Sequence, residues 1–597
     1  MCGIFAVFND KFKKAASTVF EGLKTLEYRG YDSWGIVAKK EKNDIYIKKC
    51  VGKINNKELP LLIESQSAIG HTRWATHGGV TEKNAHPHWD CQKKIFVVHN
   101  GIIENFNDLK NKLEKKGHVF LSQTDTEIIP HLFEEKINWR KFNKVDIKKQ
   151  ASAILNIFFS FKGLNAIVIF IPEINYLFAI KNSSPLVFGL DEKNNQYFLA
   201  SDYSGIIPHT QKIYFLEDNE LLIINQNSYF IFNKEAKKKT INFLKIKAKK
   251  ETFSLGKFPH FMIKEINEQP SVIENICRNE KENILNLAKV IKNSYGNYLI
   301  GCGTAYYACL AATYFFSKIA KRHTNACIAS EFSYLVDFLK PESLVIALSQ
   351  SGETIDIVSC VKKIQEKKAK VFALTNVLGS TLYRMADYKM LLNAGPEKCV
   401  LSTKSFTAKL AIIYLLAYSL NGQIDKGLSD LQKAILEVKR IIKEKNEIAG
   451  LALKLKHKNH IFILGRGISY PLALESALKI KEVSYIHAEG FPAGELKHGV
   501  IALVEKGTPV IVYNPVDETY KDTLSSAYEV KARGAYIIGI SSINDTSYDQ
   551  FIKIKNCGDA TIIPNVIIAQ LLGYYLAIEK GLDPDKPRNL AKSVTVK

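Results

Sequence analysis

A chain of 597 residues is too long for one hydrophobic core, since about 100–200 residues per domain is usual, and this excludes a single small binding module. A composition of 46% apolar and 24% charged residues excludes wholesale disorder and fibrous architectures. The formal net charge of +22 rests on 82 basic residues of which ten are arginine, so it reads as a lysine-rich surface that welcomes small anions, with no dedicated nucleic-acid or membrane stripe.

The first 235 or so residues carry short alternating strands with Gly and Asn turns (IFAVF, GIVAK, KIFVVHNG, AIVIFIP, YLFAI, YFLASD, ELLIINQ), which predicts a strand-rich domain over 1–235. The lysine-rich stretch that follows lacks sustained periodicity and predicts a linker with a lead-in helix over 236–285. From about Asn297 apolar strands alternate with helical patterns, the encoding of parallel sheets with crossover helices. This part repeats itself. Gly301, Gly303 and Tyr306 line up with Gly465, Gly467 and Tyr470, and Glu353 and Thr354 with Glu518 and Thr519, at nearly one offset. Duplicated α/β domains over 286–440 and 441–586 follow, with a tail over 587–597.

Ten cysteines without Cys-x-x-Cys spacing predict reduced thiols and no zinc cluster or other metal site. The N-terminus MCGIFAVFNDKFKK has no basic region ahead of a long apolar run, and clean apolar stretches such as 410–420 fall short of the ~20 residues that span a bilayer. A cytoplasmic protein with no membrane partner is expected.

Cys2 directly follows the initiator Met, and once Met1 is removed its α-amine can serve as general base for its own thiol. Downstream, HTRWATHG (71–78), HNGIIEN (99–105) and SQTDTE (122–127) supply what an amino-acid carboxamide needs: Arg73 for a carboxylate, Asp125 for an ammonium group, and the Asn100/Gly101 pair as an oxyanion hole. In SLVIALSQSGETIDIVSCVKKIQ an apolar strand enters a hydroxyl- and glycine-rich turn, then a helix with apolar Ile357, Val358, Val361 and Ile364. An ordinary capping turn uses the same residue types. Its place after a buried strand, with a second such turn GCGTA (301–305), favours a phosphate cradle made of Ser349, Gln350, Ser351, Thr354 and helix N–H groups. The second copy reads NPVDET, with proline and an acid, Asp517, where the first has serines and glycine; the acid repels phosphate, so one cradle per chain is expected. Glu475, Lys479 and Glu482 fall on one helix face, which helical spacing alone reads as a solvated stripe.

With these motifs the whole chain, from MCGI to RNLAKSVTVK, resembles the glutamine–fructose-6-phosphate aminotransferase family. The resemblance implies an N-terminal nucleophile hydrolase-type αββα glutaminase followed by two doubly wound sugar isomerase domains. It makes Cys2 the glutaminase nucleophile, Asn100 and Gly101 its oxyanion hole, and Arg73, Thr76, His77 and Asp125 its glutamine pocket, with Trp74 gating an ammonia passage. It assigns Thr304, Ser349, Gln350, Ser351, Thr354 and Ser402 to sugar phosphate and Glu482 to proton transfer between C1 and C2. Lys479 would steady the enediol charge, His498 of a partner subunit would open the ring, and Lys592 would form a Schiff base. Glutamine and fructose 6-phosphate are then the substrates, ammonia is channelled between two sites, no cofactor is needed, and the chain is a homodimer in amino-sugar synthesis. Ala305 stands where the family often has a serine on the phosphate. A catalytically silent sugar-phosphate sensor would have lost the catalytic set, which is intact here; another acceptor would need a diphosphate or ATP-pyrophosphate loop, and neither is found.

Overall fold

The computed structural model describes residues 2–595 apart from 41–43, 56–62, 143, 183, 227 and 247–253. The chain divides into two compact units, residues 1–254 together with the tail from Ala591, and Leu255–Leu590.

Among its described residues the first unit holds two antiparallel sheets. The eight-stranded sheet runs Leu244–Lys245, Lys212–Phe215, Val187–Asp191, Gln196–Ala200, Gly3–Phe8, Ser67–Arg73, Ser33–Lys39, Ile45–Val51. The seven-stranded sheet runs Lys238–Lys239, Tyr229–Phe232, Leu221–Ile224, Tyr176–Asn182, Asn165–Ile171, Phe96–Gly101, His88–Trp89. Strand period 2 sorts the side chains into layers. Ile4, Ala6 and Phe8 meet Phe96, Val98 and Val168 between the sheets. Phe5 and Val7 face the other way, onto helix Ala15–Leu26 through Val19, Phe20 and Leu23. Val97, Ile167 and Ile169 turn outward onto helices Ile128–Lys136 and Ile147–Phe158. The αββα sandwich is the architecture expected.

The stretch expected as a linker from 236 begins differently. Lys238–Lys239 pairs with Tyr229–Phe232, and Leu244–Lys245 with Lys212–Phe215, so both short segments finish sheet edges. Lysines are what protect a sheet edge from further pairing, and the same lysines hide the strand pattern in the sequence. Residues 247–253 of that stretch lie outside the described residues. Phe261–Asn279 is then a 19-residue helix belonging to the second unit.

The second unit contains two five-stranded parallel sheets with one strand order. The first is Asn325–Ile328, Asn297–Gly301, Leu344–Ser349, Lys370–Thr375, Tyr388–Leu391; the second is His487–Pro492, His460–Gly465, Pro509–Tyr513, Tyr536–Ser541, Gln550–Lys553. Each opening strand feeds a helix, Thr304–Lys318 or Ser469–Ser484, through a Gly-x-Gly turn. At Gly301 a Cβ would sit 2.7 Å from the Ala305 carbonyl carbon, and Gly303 has φ of +52°, so both positions call for glycine. The two halves share one core containing Ile346, Ile463 and Ile511 together with helices Lys404–Leu420 and Ile562–Glu579. These helices are apolar all round because they are buried all round. The segment Gly558–Glu579 is long and apolar enough to cross a membrane, yet 89% of its most apolar window is buried inside the fold, as expected of a core helix.

Candidate active sites

In the first unit the register of the two central strands sets the surroundings of Cys2. Gly3 lies opposite Thr72, which brings Cys2 beside Trp74; the Trp74 N–H donates to Cys2 Sγ at 3.2 Å. Asn100 Nδ2 donates to the Cys2 carbonyl at 2.9 Å, from the end of strand Phe96–Gly101. Gly101 follows with φ of +140°, where a Cβ would lie 2.1 Å from the Leu164 carbonyl oxygen, so the chain turns there as only glycine allows. Met1 lies outside the described residues.

Arg73 and Asp125 are both buried. The Arg73 guanidinium donates to the carbonyls of His77, Gly78 and Gly79, which folds the 77–79 turn around it. Burial lowers its pKa, while Cys2, Asp32 and Asp125 are the acidic groups that oppose this. Asp125 Oδ2 accepts from the Ile103 N–H at 2.7 Å. Trp74 is half-buried with its ring edge-on to Tyr31, His77 lies edge-on to Phe106, and Thr76 is exposed.

Two supporting residues, His71 and Arg29, carry no signal of their role in the sequence. His71 Nε2 lies 3.0 Å from both the His99 carbonyl and Asn100 Oδ1, two acceptors, so the ring must carry its proton on Nε2. That bond turns the Asn100 amide so that its Nδ2 faces Cys2. Arg29 Nε donates to the Cys2 carbonyl at 3.4 Å and its NH1 pairs with Asp202 at 3.2 Å. His71 lies in the motif HTRWATHG and Arg29 in EYRGYDS (27–33), but their partners are far along the chain.

In the second unit strand Leu344–Ser349 ends in the turn that opens helix Ile355–Glu366. Ser349 Oγ accepts from the Gly352 N–H at 2.9 Å and lies 3.4 Å from Thr354 Oγ1, Ser351 Oγ accepts from the Glu353 N–H, and the Gln350 carbonyl accepts from Asn376. Thr354 makes no side-chain cap, and the same holds where Gly303 opens helix Thr304–Lys318. Both helix starts therefore keep N–H groups for an anion. The second copy differs in a telling way: Asp517 accepts from the Thr519 N–H at 2.8 Å and its hydroxyl at 2.7 Å, so a carboxylate already occupies that turn. Ser402 sits at the mouth of helix Lys404–Leu420, 2.8 Å from Ser405 Oγ, in a turn braced by Glu397.

Glu475, Lys479 and Glu482 form a buried charged cluster where helical spacing predicts a solvated stripe. Lys479 Nζ lies 2.6 Å from Glu482 Oε2 and 3.5 Å from Glu475 Oε1, and the Thr304 hydroxyl donates to Glu475 at 3.3 Å. The Lys479 and Glu475 side chains are 0% exposed, and that of Glu482 is 19%. The neighbouring half of the unit covers this face: helix Thr304–Lys318 packs on helix Ser469–Ser484. Burial lifts the Glu475 carboxyl to about 7. Burial alone would lower Lys479, but the two carboxylates outweigh it and hold its ammonium protonated above the ordinary range. Glu475 belongs to this cluster, and the sequence shows it only as a helical neighbour. His498 ends the short helix Ala493–His498 and is exposed, with no hydrogen bond or ion pair to the cluster among the described residues. Lys592 lies half-buried on the tail grouped with the first unit.

A glutamine amidotransferase domain model matches residues 71–208, and a SIS domain model matches twice, at 292–419 and 454–580. Curated relatives align over their entire length and all of this chain. The glutamine–fructose-6-phosphate aminotransferase (isomerizing) of Thermococcus kodakarensis is 41% identical over 616 residues, and that of Fusobacterium nucleatum is 39% identical over 621. Among solved structures, the C-terminal domain of glucosamine-fructose-6-phosphate aminotransferase from Francisella tularensis is matched over 56% of this chain and all of its own, with 34% identity and a TM-score of 0.52. The duplicated parallel sheets, the sandwich carrying Cys2 and this end-to-end similarity agree, and the chain belongs to the glutamine–fructose-6-phosphate aminotransferase (isomerizing) family.

Proposed function

We propose that the protein is an enzyme that converts fructose 6-phosphate and glutamine to glucosamine 6-phosphate and glutamate. The observation that carries this reading is the buried Lys479–Glu482 pair joined through Glu475 to Thr304 at an uncapped helix start, in a chain whose other unit places Cys2 against Asn100. In the first unit the Cys2 α-amine takes the thiol proton and the sulphur attacks the glutamine amide carbon. The Asn100 amide and the Gly101 N–H receive the oxyanion, and Arg73 and Asp125 grip the substrate's carboxylate and ammonium group. Ammonia leaves, and water hydrolyses the thioester to glutamate.

In the second unit the phosphate sits on the turn 349–354 with Thr304 and Ser402. His498 from a partner subunit opens the ring, and its exposure supports an intersubunit role and hence a homodimer. Lys592 forms a Schiff base with the open ketose, channelled ammonia displaces it, and Glu482 carries a proton from C1 to C2 while Lys479 balances the charge. The units 1–235, 286–440 and 441–586, with the tail 587–597, are the functional modules of this reading. Ten free cysteines support a reducing cytoplasmic setting. Glucosamine 6-phosphate production by purified protein, with intact mass recorded on the same sample, tests the proposal. Product from chains lacking Met1 is expected; no product from such chains would overturn it.

A further inference from the structure

We propose that Cys91, His118, His131 and Glu134 form a structural zinc site in the first unit. The four come from separate places: Cys91 from the turn after strand His88–Trp89, His118 from the segment after helix Phe106–Glu114, and His131 and Glu134 from one face of helix Ile128–Lys136. Their ligating atoms all lie within 4.8 Å of one another. Cys91 Sγ is 3.6 Å from His118 Nδ1 and 3.5 Å from His131 Nδ1, and the two Nδ1 atoms are 3.3 Å apart. Glu134 Oε2 is 3.3 Å from His118 Nδ1 and 3.7 Å from His131 Nδ1. A tetrahedron with Zn–S of about 2.3 Å and Zn–N of about 2.05 Å has S···N edges of about 3.5 Å and N···N edges of about 3.3 Å. The side chains thus already stand at the vertices such an ion requires.

The chemistry of the donors agrees. Two imidazole nitrogens, a sulphur and a carboxylate oxygen converge their lone pairs on one point, which a cation relieves and a few shared protons do not. One thiolate with two imidazoles suits zinc over magnesium or calcium, and a thiolate plus a carboxylate neutralise its two charges. His118 has an outer partner as well: Glu135 Oε2 lies 3.4 Å from its Nε2, where a carboxylate orients a zinc-bound imidazole, and Glu127 Oε1 is the carboxylate oxygen 3.9 Å from the buried Nε2 of His131. With four protein ligands no position is open for a substrate, so the role is structural. The clip joins the turn that leads into Phe96–Gly101, the strand bearing Asn100, to the helix that follows Asp125–Glu127. It braces the two segments that carry Asn100 and Asp125.

The test is metal analysis of the untagged full-length protein after dialysis against metal-free buffer. About one zinc per chain is expected, falling to background in Cys91→Ser and in His118→Ala. A protein that holds no zinc after equilibration with excess metal, or one whose zinc content neither substitution changes, would overturn the site. Should the variants not fold, alkylation of the wild-type protein decides: Cys91 is exposed, so mass mapping should show its labelling suppressed by zinc and restored by a chelator. Labelling of Cys91 that is indifferent to zinc would equally overturn it.

Discussion

Replacing Glu475 by glutamine isolates the electrostatics of the sugar half-site. The Glu475 side chain is fully buried, its Oε2 has no hydrogen-bond partner, and burial raises its carboxyl from 4.5 to about 7. A carboxyl raised on folding binds its proton more tightly in the folded chain. The stability it contributes is therefore complete below pH 4.5 and is lost as pH rises through about 7. That difference corresponds to about 3 kcal/mol, or roughly 5 °C in Tm for a unit of this size. Glutamine keeps the shape and removes the titration, so the Glu475→Gln protein should lose less stability than wild type between pH 5 and 8, by about that amount. Calorimetric unfolding at half-unit pH steps without substrates provides the comparison. Parallel pH curves for the two proteins would refute the buried, protonatable state of Glu475.

Cys2→Ala should abolish glutamine hydrolysis and leave fructose 6-phosphate isomerisation measurable, because Cys2 and the Glu475–Lys479–Glu482 cluster belong to different units; equal loss of both in a folded variant would contradict this division. Glu482→Gln should stop isomerisation while glutamine hydrolysis persists, and an undiminished rate of glucosamine 6-phosphate formation would remove Glu482 from proton transfer. Ala305, one residue after Thr304 at the helix start, lacks a hydroxyl. Ala305→Ser should lower the KM for fructose 6-phosphate about fivefold, as one added hydrogen bond of about 1 kcal/mol would do, and an unchanged KM would place the phosphate elsewhere.

What the sequence discloses depends on how local the signal is. The paired Gly-x-Gly turns at 301–303 and 465–467 are short and repeated, so the duplication could be read directly and the two sheets repeat it strand for strand. The cradle turn 349–354 was equally local. Glu475 was visible only as a member of a helix face, because its burial is decided by helix Thr304–Lys318, more than a hundred residues earlier. Lys238–Lys239 and Leu244–Lys245 were missed as strands since edge position, not alternation, governs their composition. Cys91, His118, His131 and Glu134 make no close ligand pair in the sequence apart from His131 and Glu134, the two that share a helix. Zinc-type spacing rules describe ligands on one hairpin or one helix, and this cluster is assembled by sandwich packing.

Burial disfavours the charged form in both units, but it carries His71 of the first unit out of the physiological range and Glu475 of the second unit into it. In the first unit burial drives His71 down to about 3, against the pull of its bonds to Asn100 and the His99 carbonyl. His86, stacked on it at 4.1 Å between ring centroids, is held down as well. A ring that stays neutral throughout the physiological range keeps its proton on Nε2, so the Asn100 amide faces Cys2 at every working pH. In the second unit Glu475 changes charge near 7, and it touches the lysine that touches Glu482. Between pH 6 and 8 the charge around Glu482 becomes more negative, which disfavours the further negative charge of a developing enediolate. Isomerisation assayed without glutamine should therefore fall off above pH 7, and the fall should vanish in Glu475→Gln; a decline that survives the substitution would have to arise from another group.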